Sequence, residues 1–158
     1  TIIVEHKSGF VCANAGIDHS NVKGNWGEPE DWVLLLPENA DDSAVRIRNG
    51  IEAITSKKIG VMIIDSHGRA WRMGTIGMTI GLAGVPALVD LRGQPDLYDY
   101  KLRVTVVAAA DELAAGASLL MGQAAEGTPV VHVRGFPYAL RESTSQELVR
   151  YKSYDMFR

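Results

Sequence analysis

Two acidic positions, Asp18 and Asp65, stand where this sequence can do chemistry. Asp18 lies in NAGIDHSNVKGN, a polar stretch that gathers Asn14, His19, Ser20, Asn21 and Lys23 around one carboxylate just after the apolar run Phe10–Ala13. Asp65 follows the apolar run Ile59–Ile64 and reads as the end of a strand, opening a loop Ser66-His67-Gly68-Arg69. In α/β sheets the carboxyl end of a strand is the usual binding crevice. Hard divalent cations take oxygen ligands from carboxylates, hydroxyls, amides and phosphates, so an Asp on each of two loops, with Ser66 beside one, suits Mg2+ or Mn2+. The plainer alternative is that each Asp caps a helix or forms a turn.

Around these carboxylates stand cationic, imidazole and amide side chains. Arg69, Arg72, Arg92 and Lys23 are candidate phosphate or carboxylate clamps, because a guanidinium fork binds such groups bidentately. Taken alone, each of them is more simply a surface position or a structural ion pair. His19 and His67 can relay protons or make local hydrogen bonds. Trp71 can stack on a ring or anchor a core. Met121-Gly122-Gln123 leads out of a helix into Ala124-Ala125-Glu126-Gly127, where Gln123 offers a neutral oxygen and Glu126 a second acidic one. No GxxxxGK[ST], GxGxxG or HExxH motif occurs. Cys12 has no CxxC partner and no adjacent base, so it reads as buried and inert. A lone cysteine favours a reducing compartment, and a cytoplasmic location is expected.

The elements that must position these groups follow from periodicity. Thr1–Val4 and Phe10–Ala13 read as neighbouring strands, and Asn14 to Glu30 as a long Gly-containing loop. Trp32–Leu36 reads as a brief strand. A helix follows, capped by Asp41 or Asp42, with Ala44, Ile47, Ile51 and Ile54 on its apolar face. With Ile59–Ile64 this predicts a strand–helix–strand unit. Gly74 to Gly84 reads as a closely packed helix or as irregular backbone near a ligand. Val85–Val89, Leu102–Ala109 and Val130–Val133 read as strands. A helix begins at Asp111, with Leu113, Ala117 and Leu120 on its apolar side, and the tail from Tyr138 reads as a short helix or an arm over a partner chain. The fold class expected is α/β (mixed α+β), a mixed sheet with packed helices, in a single domain over 1–158.

Composition bounds the rest. The 158 residues are 46% hydrophobic and 22% charged, which is globular rather than disordered composition. Sixteen Lys and Arg against nineteen Asp and Glu give a net charge of -3, which argues against a general nucleic-acid surface. No apolar run approaches the length of a membrane span, so neither nucleic acid nor membrane is an expected partner. The first residues already read as a strand, from which the chain is expected to begin inside a structure. On residues alone, an enzyme fits no better than a noncatalytic binding or dimerisation module.

At these same residues the sequence is similar to the coenzyme F420-0 gamma-glutamyl ligases, which add glutamate to a deazaflavin cofactor. The matching stretches are FVCANAGIDHSNV, WVLLLPENADDSAVRIR, IDSHGRAWRMGTIGMTIGLAG, VDLRGQPDLYDYKLRVTVVAAADELAAGASLLMGQAAEGTPVVHVRG and the terminal YDMFR. The resemblance implies a family-specific mixed α/β fold, a homodimer with interlocked subunits, and GTP, L-glutamate and the deazaflavin precursor as reactants. It implies two divalent ions per site, Mg2+ or Mn2+, with K+ a further candidate. Carried over by motif, Asp18 and Asp65 would hold the first ion, and Ser66 and Gln123 the second. Asn21 would contact the nucleotide, and Met121, Gly122, Gln123, Ala124, Ala125, Glu126, Gly127 and Thr128 would wrap near its phosphates. Arg69 joins the two aspartates as a candidate catalytic group. The family also carries an N-terminal portion with a glycine-containing nucleotide motif, which is expected to be missing here. His67 and Ala70 stand where its loop usually reads Phe and Pro, as in DSFGRPWR, so a ligase acting on another carboxylic acid is the alternative.

Overall fold

The structure is a computed structural model and describes residues 2–156. Thr1 of the first expected strand and the last two residues of the YDMFR motif lie outside the described residues. The architecture is α+β. Among the described residues the sheets are three antiparallel pairs rather than one mixed sheet: β1 (Ile3–Glu5) with β2 (Val11–Ala13), β3 (Val61–Arg69) with β4 (Arg72–Ala83), and β5 (Val89–Asp90) with β6 (Val106–Val107). Two helices, α1 (Ala40–Thr55) and α2 (Ala109–Met121), pack on the long β3–β4 ribbon.

That ribbon overturns two expectations. Gly74 to Ala83 is strand, not helix, and Gly77 and Gly81 are where the helices come close. A Cβ on Gly77 would lie 2.6 Å from the Ala114 carbonyl oxygen of α2, and one on Gly81 would lie 2.4 Å from the Ala40 backbone of α1. Small residues therefore do allow close packing, but between ribbon and helix. Nor does Asp65 end its strand. Asp65, Ser66, His67 and Gly68 pair in register with Met78, Gly77, Ile76 and Thr75, and the chain turns only at Ala70–Trp71. Polar residues that resemble a loop are here the exposed continuation of a ladder.

The strand–helix–strand unit does not form, because Trp32–Leu36 contributes only a single bridge, Leu34 with Asp18. The Leu102–Ala109 strand shrinks to Val106–Val107, and Val130–Val133 is unpaired among the described residues. β-branched residues favour extended backbone, but without a neighbouring strand no ladder results. Asn39, rather than either aspartate, caps α1 by accepting from the Asp42 N–H at 3.1 Å.

Asp41 is thereby released to reach the ribbon. Its Oδ1 accepts from Leu82 N at 2.8 Å, Asp111 Oδ1 from Thr79 N at 3.0 Å, and Ser118 Oγ from Gly77 N at 3.2 Å. The outer N–H groups of β4 are thus satisfied by helix side chains, which also blunts a sheet edge. The tail forms two short 3-10 turns, Ser145–Leu148 and Lys152–Tyr154, and lies across its own chain. Arg141 grips Glu147 at 2.7 Å and the Leu88 carbonyl at 3.1 Å, while Ser145 donates to Asp41.

The core is small: Leu82, Ala87 and Ala110, with Met62 and Leu148 packed against it. Ala44 of α1 is buried, but Ile47, Ile51 and Ile54, expected to face inward with it, are 48%, 40% and 86% exposed. Leu120 of α2 is exposed as well. The accessible surface is 11567 Å², against about 7,800 Å² expected for a compact monomer of 17.1 kDa.

Candidate functional site

Asp18 is fixed by its own turn. Its backbone makes a two-way bridge with Leu34 (3.0 and 2.7 Å), while its Oδ1 accepts from His19 N at 2.6 Å and from Ser20 N at 2.9 Å. The Ser20 hydroxyl lies 3.0 Å from both carboxylate oxygens. These donors, the Ser20 N–H foremost, hold the Asp18 carboxyl below its ordinary pKa, so it is an anion with a set direction.

The rest of the loop is built around Trp32. The Trp32 ring lies so close to Gly24 that a Cβ there would meet it at 1.7 Å, and its indole N–H donates to the Trp26 carbonyl at 2.6 Å. His19 Nδ1 lies 2.7 Å from the Trp32 carbonyl oxygen. A carbonyl only accepts, so Nδ1 carries the proton, and in the neutral ring Nε2 keeps its lone pair.

Asp65 is placed by the ribbon. Strand residues alternate in direction, so Asp65 and Ser66 point to opposite faces of β3. Ser66 pairs with Gly77, whose missing Cβ would meet α2, so the Ser66 hydroxyl shares a face with the helix that runs into Gln123. Asp65 faces the β2 side together with His67. Burial and, secondly, the negative charge of Asp65 push the Cys12 thiol pKa up, which marks the approach of that carboxylate to β2. Cys12 is buried, as expected. Asp65 Oδ1 also accepts from Ser66 N at 2.8 Å.

The helix exit curls on itself. Gly122 has φ 76, and the Glu126 carboxylate folds back to accept from Ala124 N at 2.8 Å. That bond, with smaller contributions from the N–H groups of Glu126 and Gln123, lowers the Glu126 pKa. Backbone N–H groups converging on an anion are what a phosphate-binding loop offers. One contact ties this segment to the Asp18 loop: Asn21 Nδ2 donates to the Ala124 carbonyl at 2.8 Å. Asn21 makes it from a left-handed backbone, φ 54, which Asn tolerates better than most residues.

Of the cationic candidates, Arg92 is engaged within its own turn by Asp90, which it holds down to about pKa 2. Arg69 donates through Nη2 to the Met73 carbonyl at 3.1 Å, while its Nη1 is buried with no partner among the described residues. Trp71 is 82% exposed at the ribbon tip with φ 57, so it does not anchor the core. Among the described residues no group of three or more His, Cys, Asp and Glu side chains is disposed to hold a metal. The side chains of Asp18, Asp65, Ser66 and Gln123 offer hard oxygens, the donor type a divalent ion takes, with Asp65 and Ser66 on opposite faces of β3.

The chain belongs to the F420-0:gamma-glutamyl ligase family, whose model matches residues 1–135, a span that contains every residue of this site. It is 48% identical over 157 residues to the coenzyme F420:L-glutamate ligase of Methanococcus maripaludis and 46% identical over 158 residues to that of Methanocaldococcus jannaschii. It is also 44% identical over 157 residues to the enzyme of the same name from Archaeoglobus fulgidus. Each alignment takes in 99% of this chain but 60% of the relative, so the chain spans about three fifths of the length of these relatives. No helix among the described residues is long and apolar enough to cross a membrane.

Proposed function

We infer that this chain forms part of a GTP- and divalent-metal-dependent ligase that adds L-glutamate in amide linkage to a deazaflavin coenzyme precursor. Family membership supports this reading, and one contact carries it. The Asn21–Ala124 hydrogen bond joins the acidic loop to the loop of converging N–H groups, which supports reading the two as parts of one site.

In the proposed reaction a carboxylate oxygen of the acceptor attacks the γ-phosphorus of GTP, GDP leaves, and an acyl phosphate forms. The glutamate amine then attacks the acyl carbon, inorganic phosphate departs, and the amine gives up a proton. Asp18, Asp65, Ser66 and Gln123 are the groups that would hold the divalent ions, whose bound charge offsets repulsion between the anionic reactants. The N–H groups of the loop from Gln123 to Glu126 would cradle phosphate oxygens once the Glu126 carboxylate yields them. Arg69, with a buried donor to spare, is suited to a phosphate or carboxylate oxygen. His19 is suited to take the amine proton, because its Nδ1 is held on a carbonyl and Nε2 is the basic atom. A homodimer agrees with the exposed isoleucine row of α1 and the large accessible surface.

The test is an assay of the full-length protein with GTP, glutamate and the deazaflavin substrate, read by product mass. One added glutamate is expected, with GDP released in equal amount. No gain in mass beside a working control enzyme would overturn the reading. Asp18→Asn and Asp65→Asn should each abolish cation-dependent tightening of GTP binding.

A further inference from the structure

The turn of the β1–β2 hairpin, the start of α1 and the C-terminal tail enclose a cavity of ≈370 Å³, lined by Lys7, Glu38, Asp41, Ser145 and Gln146 around the buried side chain of Ile80. That volume is at the low end of the range for ligand pockets, which suits an amino acid better than a nucleotide or a deazaflavin. Its walls are fixed. The hairpin turn is closed by His6 N on the Phe10 carbonyl at 2.8 Å, Gly9 N on the His6 carbonyl at 2.7 Å and Ser8 N on His6 Nδ1 at 3.2 Å. Asp41 is already engaged, accepting from Leu82 N, Ser145 N and the Ser145 hydroxyl at 2.8, 3.1 and 3.0 Å.

Lys7 and Glu38 are different. Neither makes an ion pair or a side-chain hydrogen bond among the described residues, and they do not pair with each other. The cavity therefore holds one positive and one negative pole, set apart and both open to a guest. A phosphate there would meet two carboxylates against one ammonium, and a metal ion would find only one free carboxylate. A zwitterion satisfies both poles at once. Ile80 also ties the cavity to the acidic site. Met78 pairs with Asp65, and Ile80, two residues further along β4, is a diagonal neighbour of Asp65 at about 7–8 Å.

We propose that this cavity seats the incoming amino acid, with the Lys7 ammonium against a carboxylate of L-glutamate and the Glu38 carboxylate against its amino group. The methylenes lie on Ile80. The inference rests on the ligase reading above and deepens it, since it gives the glutamate a place beside the strand position of Asp65.

Steady-state kinetics of the full-length protein with Mg2+, GTP and the deazaflavin substrate test this. Lys7→Met and Glu38→Gln should each raise the KM for L-glutamate about tenfold or more, while the KM for GTP stays within about twofold. Lys7→Arg, which keeps the charge, should remain within about threefold of the parent. Both side chains lack partners in the fold, so thermal denaturation of the variants should match the parent. A KM for glutamate that is unchanged in Lys7→Met and Glu38→Gln, or that rises no more than the KM for GTP, overturns the assignment and leaves the ligase reading intact. Calorimetric titration of L-glutamate into the protein with Mg2+ and GDP separates the two further. Binding that is lost in Lys7→Met supports the cavity even in protein that makes no product, and no binding to the parent overturns it.

Discussion

The β3–β4 ribbon and the two loops beside it are held by opposite means. The ribbon is fixed from outside: glycines let α1 and α2 approach, and Asp41, Asp111 and Ser118 take the N–H groups that β4 turns outward. The loops are fixed from inside. The Asp18 turn is held by Ser20 and His19, the helix exit by Glu126, and Asn21 links the two. Asp65 and Ser66 therefore ride on packed structure, whereas Asp18 and Gln123 ride on polar turns at the surface. Side chains on a packed ribbon are hard to move, whereas side chains on such turns can adjust.

The sharpest way to break the ribbon is to fill its glycines. Gly77→Val should cost about 3 kcal/mol or more, because its side chain would meet the Ala114 carbonyl and Ser118. Gly116→Ala, in α2 where a Cβ meets nothing within 4 Å, should instead gain about 0.5–1 kcal/mol. Urea denaturation of both variants reads the contrast, and equal destabilisation would mean that α2 does not rest on β4 as described.

Asp41→Ala comes next, at about 1–3 kcal/mol, since the N–H groups of Leu82 and Ser145 lose their acceptor. Thermal denaturation measures it. An unchanged Tm would remove the carboxylate from the ribbon's support. Asn21→Ala should act on the loops alone. Stability should fall by no more than about 1 kcal/mol, while GTP affinity, followed calorimetrically, drops about fivefold or more. A large loss of stability without loss of affinity would reverse the assignment of that contact.

The smallest effect is one of pH. The Asp18 carboxyl is held below its ordinary value of 3.8 and that of Glu147 below 4.5. Groups with depressed pKa values contribute stability that is complete above those ordinary values and is lost as pH falls through the lowered ones. The Asp18 turn and the Arg141–Glu147 clasp should thus loosen only as pH falls below those ordinary values, about pH 4.5 for the clasp and about pH 4 for the turn. Amide exchange at Ser20 and Glu147 across an acid titration checks this.

Much of the frame was legible in the sequence. The first two strands and both helices carry clear apolar patterns and end close to where their patterns end. β4 was not legible, because its glycines weaken the strand and helix signals alike. Asp65 was misplaced because the polar run Ser66 to Arg69 looks like a loop when its partner strand is hidden. The isoleucines of α1 misled for a different reason: period fixes which residues share a face, but not whether this chain covers that face. The Asn21–Ala124 contact carries no local signal, since it joins residues far apart in the sequence. The burial of the His67 ring against Phe10, 3.1 Å from the Asp65 carboxylate, likewise emerges only once the strand is formed.

The alternation of β3 constrains how this site can change over generations. Asp65 and Ser66 are neighbours in the chain but serve opposite sides of a thin wall. Removing one residue between the bulge at Ile63/Ile64 and Asp65 would swap the two sides, sending the carboxylate toward α2 and the hydroxyl toward β2. Lineages carrying this ribbon should therefore vary here by exchange of side chains and not by insertion or loss. Length variation should collect instead in segments that carry none of the candidate site residues, such as the turn between β5 and β6.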